Sequence, residues 1–167
     1  MKRIPLTRGL SAIVDDEDYE ELSKFKWSVL HLGGDYCSAI RNSRTCHGKR
    51  HIIHMHRVIA ETPEGKETDH VNHNSLDNRR ENLRVCTHSQ NMANASKKTP
   101  HTSKFKGVTW NRHLGRWYSR ITCNGKLLNI GPFNSEIDAA KAYDEKATEL
   151  FGEFALPNFP QEKEVIK

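Results

Sequence analysis

The chain is poor in cysteine, and its four thiols, Cys37, Cys46, Cys86 and Cys123, nowhere form the C-x-x-C pair of a zinc knuckle. They read as free and half buried, because nothing else in the sequence indicates the oxidising compartment that a disulfide staple needs. Long apolar runs are missing as well. None approaches the roughly 18 residues of a membrane span, and Met1 to Leu10 has no leader-like apolar core. A protein of the cell interior, with no membrane partner, is expected. Hydrophobic residues make up 35% of the 167, so two or three modest cores are expected rather than a single large one. The most informative absence is of one charge. From Lys104 to Ile130 no acidic residue occurs beside Lys104, Lys106, Arg112, Arg116, Arg120 and Lys126. From Gly131 onward eight acidic residues face four basic ones. One cationic face and one acidic face follow, and cationic faces usually meet phosphate; an ordinary solvated pair of basic strands is the alternative.

The chain divides into segments 1–52, 53–96 and 104–160, with a basic, proline-containing linker at 97–103 and a tail at 161–167. In the first, "VDDEDYEELSKFKW" sets Tyr19, Leu22 and Phe25 at helical spacing behind an acidic first turn. "WSVL" and "YCSAIRNS" read as strands around the turn "HLGGD". This segment reads as a β-rich packing module, although Arg41, Arg44, Lys49 and Arg50 offer themselves to DNA. The second reads as a short helix "HMHRVIAE", an extended "GKETDH", a polar loop, a strand "NLRVCT" and a helix capped by Thr87 and Gln90. The third shows three strands, the second and third joined at Asn124–Gly125, a strong hairpin signal. A helix then runs from the Ser135 cap to Phe151, stopped by Gly152.

The polar stretch "TDHVNHNSLDNRRENLRV" holds two histidines, several asparagines and three acids. Phosphodiester hydrolysis needs a hard cation on the phosphate, a base for water and a proton for the leaving oxygen. Asp69 offers a carboxylate to magnesium, an asparagine oxygen could supply a second ligand, and substrate phosphate and water could complete the shell. His70 suits the base, since imidazole titrates near working pH. Neighbouring strand residues point to opposite faces, so the strand is expected to end or twist at Asp69–His70.

The order D69-H70, then N74, D77-N78, N82-L83-R84 and N91, with His56-Arg57 upstream, resembles the HNH nuclease family in its phage and intron-encoded branch. The resemblance implies a ββα-metal unit. In it Asp69 and Asn91 would bind one Mg²⁺ or Mn²⁺ ion, His70 would activate water, and Asn82 would brace the loop that orients His70. These four are the expected catalytic residues. The sequence departs from the family at Asn72-His73, where Asp-Gly is frequent, and at Asp77, where Asn is usual. His73 reads as a loop residue rather than a phosphate contact. His54 and His56, two apart on a helix, would face apart and form no metal pair.

In the third segment, alternation assigns Val108, Trp117, Ile121, Leu128 and Ile130 to a side packed on Ala139, Ala140, Tyr143, Ala147 and Leu150 of the helix. Thr109, Asn111, Arg116, Tyr118, Arg120, Thr122 and Asn129 fall on the other side. With Lys104, Lys106, Arg112 and Lys126 they make up the expected DNA-binding set, suited to a major groove. "KGV", "GRW", "IGPF", "EIDAAKAYD" and "LPNFP" resemble the plant ethylene-response-factor, APETALA-type DNA-binding domain. That resemblance implies that the sheet enters the groove. Thr109 and Thr122 stand at arginine positions of the plant domain and Asn129 at an aromatic one, so its target sequence does not carry over. Trp110 and Trp117 read as core rather than base-stacking residues.

Together these readings give an α+β chain: a ββα-metal core, an N-terminal β-rich module and a C-terminal three-stranded sheet with one helix. The expected activity is site-specific cleavage of double-stranded DNA, of the phage or homing type, in the cytoplasm of a bacterial or phage-infected cell. By family analogy the products carry 3′-hydroxyl and 5′-phosphate ends. A monomer is preferred, though the sequence leaves the oligomeric state open. The alternatives are a DNA-binding regulator whose nuclease module is inert, and a zinc-dependent structural module.

Overall fold

The computed structural model describes residues 1–31, 36–44, 48, 50–96 and 102–160. The turn expected at 32–35, Cys46, Lys49, the Arg44 side chain, linker residues 97–101 and the tail 161–167 lie outside the described residues. The chain separates into two compact units, Met1–Thr87 and His88–Lys167. Helices and small antiparallel sheets alternate in both, so the fold is mixed α+β. Among the described residues no helix is long and apolar enough to cross a membrane.

In the first unit the order is β1 (Lys2–Pro5), β2 (Ser11–Val14), α1 (Asp16–Ser23), β3 (Ser28–His31), β4 (Cys37–Arg44), β5 (Arg50–His54), α2 (Met55–Ile59), β6 (Glu67–His70) and β7 (Leu83–Cys86). β1 and β2 form a hairpin, β3-β4-β5 a meander, and β6 pairs antiparallel with β7. The β1–β2 hairpin and β5 add to the strands legible in the sequence. Ile4, Leu6, Ala12, Val14, Leu22, Trp27 and Ala39 share one core with Met55 and Ile59 of α2, and Leu76 and Leu83 pack against it. The core therefore includes residues on both sides of residue 52. Met55 is fully buried, a contribution of roughly 1.5–3 kcal/mol. Helix α1 stops at Ser23, so Phe25 falls beyond it and lies exposed, with the Arg41 guanidinium 4.0 Å from its ring centre. The acidic first turn of α1 receives Arg80: Asp18 takes its guanidinium at 2.7 and 2.9 Å, and Asp15 accepts its backbone N–H at 2.8 Å. Cys37 and Cys86 are free and buried rather than half buried, with Cys37 Sγ 3.3 Å from His31 Nδ1 and Cys86 Sγ donating to Glu67 O at 3.6 Å; Cys123 is free and half buried.

The second unit opens with α3 (His88–Asn94), continues through β8 (Val108–Asn111), β9 (Arg116–Cys123) and β10 (Lys126–Phe133), and ends with α4 (Glu136–Phe151). The three strands form one antiparallel sheet in the order β10-β9-β8. Asn124 and Gly125 both take positive φ, 50° and 75°, which suits a tight hairpin whose twist matches the strands. A bulge between Asn129 and Gly131 bends β10. Ser135 caps α4 by accepting from the Asp138 N–H, and Gly152 at φ 54° ends it. Ala139, Ala140, Tyr143, Ala147 and Phe151 are buried against the sheet. Trp110 and Trp117 face each other across β8 and β9 with ring centres 5.0 Å apart.

Gly107 allows the closest approach in this unit. Its φ is +74°, and a Cβ there would stand 2.0 Å from the Tyr143 ring and 2.8 Å from the Arg120 carbonyl oxygen. Gly107→Ala is expected to destabilise the second unit by about 2–4 kcal/mol, from overpacking plus a left-handed backbone. Hydrogen exchange of the β8–β10 amides under increasing urea measures this, and the first unit's amides serve as the unaffected control.

Candidate active site

Strand β6 ends at His70 and β7 resumes at Leu83, so residues 71–82 must satisfy their polar groups without a ladder. Amides and carboxylates of the loop do this. Asn72 Oδ1 accepts from Asn74 N at 2.8 Å, and Asn74 Oδ1 accepts from Leu76 N at 3.1 Å, successive turns closed by side chains. Asn82 spans the loop: its Nδ2 donates to Asp77 O at 2.7 Å, and its Oδ1 accepts from Asn72 N at 2.9 Å. Asp77 takes Asn72 Nδ2 at 2.8 Å and the Arg79 guanidinium at 2.8 and 2.9 Å, which gives this family-atypical acid a fixed structural role. His73 sits at φ 60°, the backbone that the more usual glycine adopts without strain. It is exposed, and its N–H donates to His70 O at 3.0 Å. The loop also leans on β2: Ile13 N donates to Leu76 O and Asn78 N to Ile13 O, each at 2.8 Å.

Asp69 and His70 occupy the last two rungs of β6, opposite Arg84 and Leu83. Both are buried, and regular strand alternation sends them into different surroundings. Asp69 Oδ2 accepts from Arg84 Nε at 2.9 Å and Nη2 at 2.8 Å. His70 Nε2 lies 3.2 Å from Asn78 Oδ1. An amide oxygen only accepts, so Nε2 carries the ring proton and Nδ1 the lone pair. Nδ1 is buried without a hydrogen-bond partner. Burial holds the His70 imidazole below its usual pKa, with Asn78, Asp69 and Asp77 pulling the other way. The net shift favours the neutral ring. Asn78 is itself fully buried, with Nδ2 donating to Met55 Sδ at 3.7 Å.

Three residues that the sequence reading left unassigned stand here: Asn78, Arg84 and Tyr36. Burial and the charge of Asp69 both raise the Tyr36 hydroxyl above its usual value. Asn78 and Arg84 lay within the quoted motif. Tyr36 is exposed just before β4 and carries no local signal in the sequence. The histidines also differ from expectation. Helix α2 starts at Met55, which leaves His54 on β5, and its ring centre lies 5.2 Å from that of His56. His56 in turn meets His70 edge to face at 5.3 Å. Burial, then the neighbouring histidines and Arg57, push His56 down to about 3, so this group packs as neutral rings.

Among the described residues no group of three or more His, Cys, Asp and Glu converges as a metal cage. One carboxylate with one amide oxygen still suits Mg²⁺ or Mn²⁺, which retains water and takes oxygen from phosphate. Asn91 lies in α3, in the second unit, and is half-buried.

On the sheet of the second unit, Thr109, Arg116, Arg120, Thr122 and Asn129 are exposed, while Asn111 and Tyr118 are half-buried. The Arg120 guanidinium stands 5.4 Å from the Tyr118 ring centre. Lys104, Arg112 and Lys126 are exposed as well. Lys106 is set differently. Its ammonium donates to carbonyl oxygens at the end of α3, and burial pushes it down to about 8.

Residues 51–93 match the family model for HNH endonucleases. Over 153 residues the chain is 32% identical to an HNH endonuclease of Acanthamoeba polyphaga mimivirus, covering 90% of this chain and 76% of that protein. The chain belongs to the HNH endonuclease family, which supports a nuclease function. It is also 29% identical over 107 residues to protein 3.8 of Escherichia phage T7, covering 64% of this chain and 88% of the phage protein. A shorter similarity, 42% over 59 residues, links it to the ethylene-responsive transcription factor WRI1 of Arabidopsis thaliana; it covers 34% of this chain and 14% of that factor.

Arg79 and further hydrogen bonds hold the Asp77 carboxyl below its ordinary value, although burial opposes them. Its stabilising contribution is therefore complete above the unfolded value near 3.8 and is lost as pH falls through the lower folded value. Protection of the 71–82 amides, taken relative to intrinsic exchange at each pH, is expected to fall below about pH 4, and Asp77→Asn should remove that pH dependence.

Proposed function

We propose that the chain is a site-specific DNA endonuclease of the phage or homing type, with residues 53–96 as the cleaving ββα-metal domain and 104–160 as an ethylene-response-factor-like DNA-binding domain. The observation that carries this reading is the His70 imidazole. It is kept neutral by burial, with its Nε2 proton committed to Asn78 and its Nδ1 lone pair unshared. His70 acts as general base once substrate binding admits a water to Nδ1. Asn82 braces the loop that carries Asn78, and through it the ring. Asp69 and Asn91 would hold one Mg²⁺ or Mn²⁺ ion, which when bound polarises the scissile phosphate and stabilises the leaving 3′ oxygen. For Asp69 to ligate, Arg84 must share the carboxylate that it now grips. Hydrolysis leaves 3′-hydroxyl and 5′-phosphate ends, and the reaction belongs in the cytoplasm of a bacterial or phage-infected cell.

The sheet supplies affinity for double-stranded DNA through Arg116, Arg120, Tyr118, Thr109, Thr122, Asn111 and Asn129, with Lys104, Arg112 and Lys126 at its margins. Lys106 leaves this set, because its ammonium already has backbone acceptors. The Asp69–Arg84 ion pair also favours a second reading, a DNA-binding regulator whose nuclease module is inert.

Cleavage of a DNA library with Mg²⁺ or Mn²⁺ tests the proposal. Asp69→Ala and His70→Ala should each slow cutting by about 10²–10⁴-fold while DNA binding persists. Cutting that survives both substitutions removes the proposed site, and a library left intact by the wild type favours the regulator. Lys104, Arg112, Arg116, Arg120 and Lys126 should give a log–log salt slope for DNA binding of roughly −4.5, read by fluorescence anisotropy. A slope near zero rejects the cationic face.

A further inference from the structure

Helix α3 is only seven residues long, too short to hold its own shape in water. It nevertheless carries Asn91, and the fixtures described below all lie within the second unit. At its first turn Ser89 Oγ accepts from Asn124 N, in the β9–β10 turn, at 3.0 Å. Along its length Ala93 is buried in one cluster with Ile121, Tyr143, Ala147 and Phe151. At its end the carbonyls left over by the helix converge on Lys106. Its Nζ donates to Met92 O at 3.4 Å, to Ala95 O at 2.6 Å and to Ala93 O. Ala93 O also accepts from Leu156 N at 3.4 Å.

Lys106 is itself fixed at the backbone. Asn158 Oδ1 accepts its N–H at 2.6 Å, and Asn158 Nδ2 donates to its carbonyl at 3.2 Å. Asp144 of α4 in turn holds Asn158, accepting from its N at 2.7 Å and its Nδ2 at 2.9 Å. A line of hydrogen bonds therefore runs from α4 through Asn158 and Lys106 to the residues that follow Asn91. A cation at a helix C-terminus is the favourable charge for this position.

We propose that Lys106 is a positioning residue for Asn91, fixing α3 within the second unit so that the Asn91 amide is presented to a metal ion in one conformation. The inference rests on Asn91 being a metal ligand. Disturbing the sheet or α4 is then expected to alter how Asn91 is held as well as DNA affinity.

The test uses the full chain as wild type, Lys106→Met, Lys106→Arg and Asp69→Ala, with Mn²⁺ alone as the probe. Mn²⁺ binding is followed by electron paramagnetic resonance, exchange of the amides at 88–96 by mass spectrometry, and DNA binding in EDTA by anisotropy. Lys106→Met should weaken Mn²⁺ binding and quicken exchange at 88–96 by about tenfold each, the scale of losing a half-buried cation at a helix end. Lys106→Arg should recover part of both, and DNA affinity in EDTA should stay within about threefold of wild type for each Lys106 variant. Unchanged Mn²⁺ affinity and exchange in Lys106→Met overturn the proposal. A fall in DNA affinity matching that of Arg120→Ala overturns it too, by making Lys106 a phosphate contact. If the wild type binds no Mn²⁺, or Asp69→Ala binds it equally well, the metal-site reading itself fails, an outcome distinct from a silent Lys106.

Discussion

The first unit depends on how residues 71–82 satisfy their backbone without a strand partner. Asn72, Asn74, Asn82 and Asp77 each bond a main-chain group of the loop, and Asn78 turns inward to hold His70. The crowd of amides that suggests a metal-rich cluster is thus mostly carpentry. Two groups stand out from it, a carboxylate on Arg84 and an imidazole with one nitrogen uncommitted. The loop's polarity allows both to be buried, since every fixed dipole around His70 is one that need not reorganise when a proton moves.

The second unit solves a different problem, keeping one face of a small sheet open while the other is sealed. Small residues do the sealing. Ala139, Ala140 and Ala147 let α4 lie close, and Gly107 makes room for the Tyr143 ring. Burial on that side leaves arginine, threonine and asparagine exposed on the other, and the Asn129–Gly131 bulge curves the strand that bears them. Closeness on one side thereby shapes the surface offered on the other.

The C-terminal elements are readable because each carries a local signal: the Asn124–Gly125 turn, the Ser135 cap, the Gly152 stop and the alternation of Arg120, Ile121, Thr122 and Cys123 along β9. The Asp69-His70 and Asn82 spacing was legible through the family pattern. What escaped was set by contacts distant in sequence. The β1–β2 hairpin is two four-residue strands around a 3-10 turn, too brief for a periodic pattern. Asn78 looked like any loop amide until Met55 and His70 closed around it. Lys106 looked like one more basic residue beside the sheet, because neither charge nor spacing reveals where a flexible ammonium ends. α2 begins at Met55, so His54 lies on β5 and its ring neighbours that of His56, where a helix over both would send them apart.

The outer edge of β2 has a further consequence. A short strand with one unpaired side is a template on which other chains can add. Here Ile13 spends its N–H and C=O on Leu76 and Asn78, so the loop that steadies the imidazole also blunts that edge. The covered edge of β2 and the position of Asn78 are therefore tied to the same two hydrogen bonds. A variant that frees the loop to move would expose that border and release the Asn78 contact to His70 together, so poor solubility and a displaced imidazole would be symptoms of one lesion.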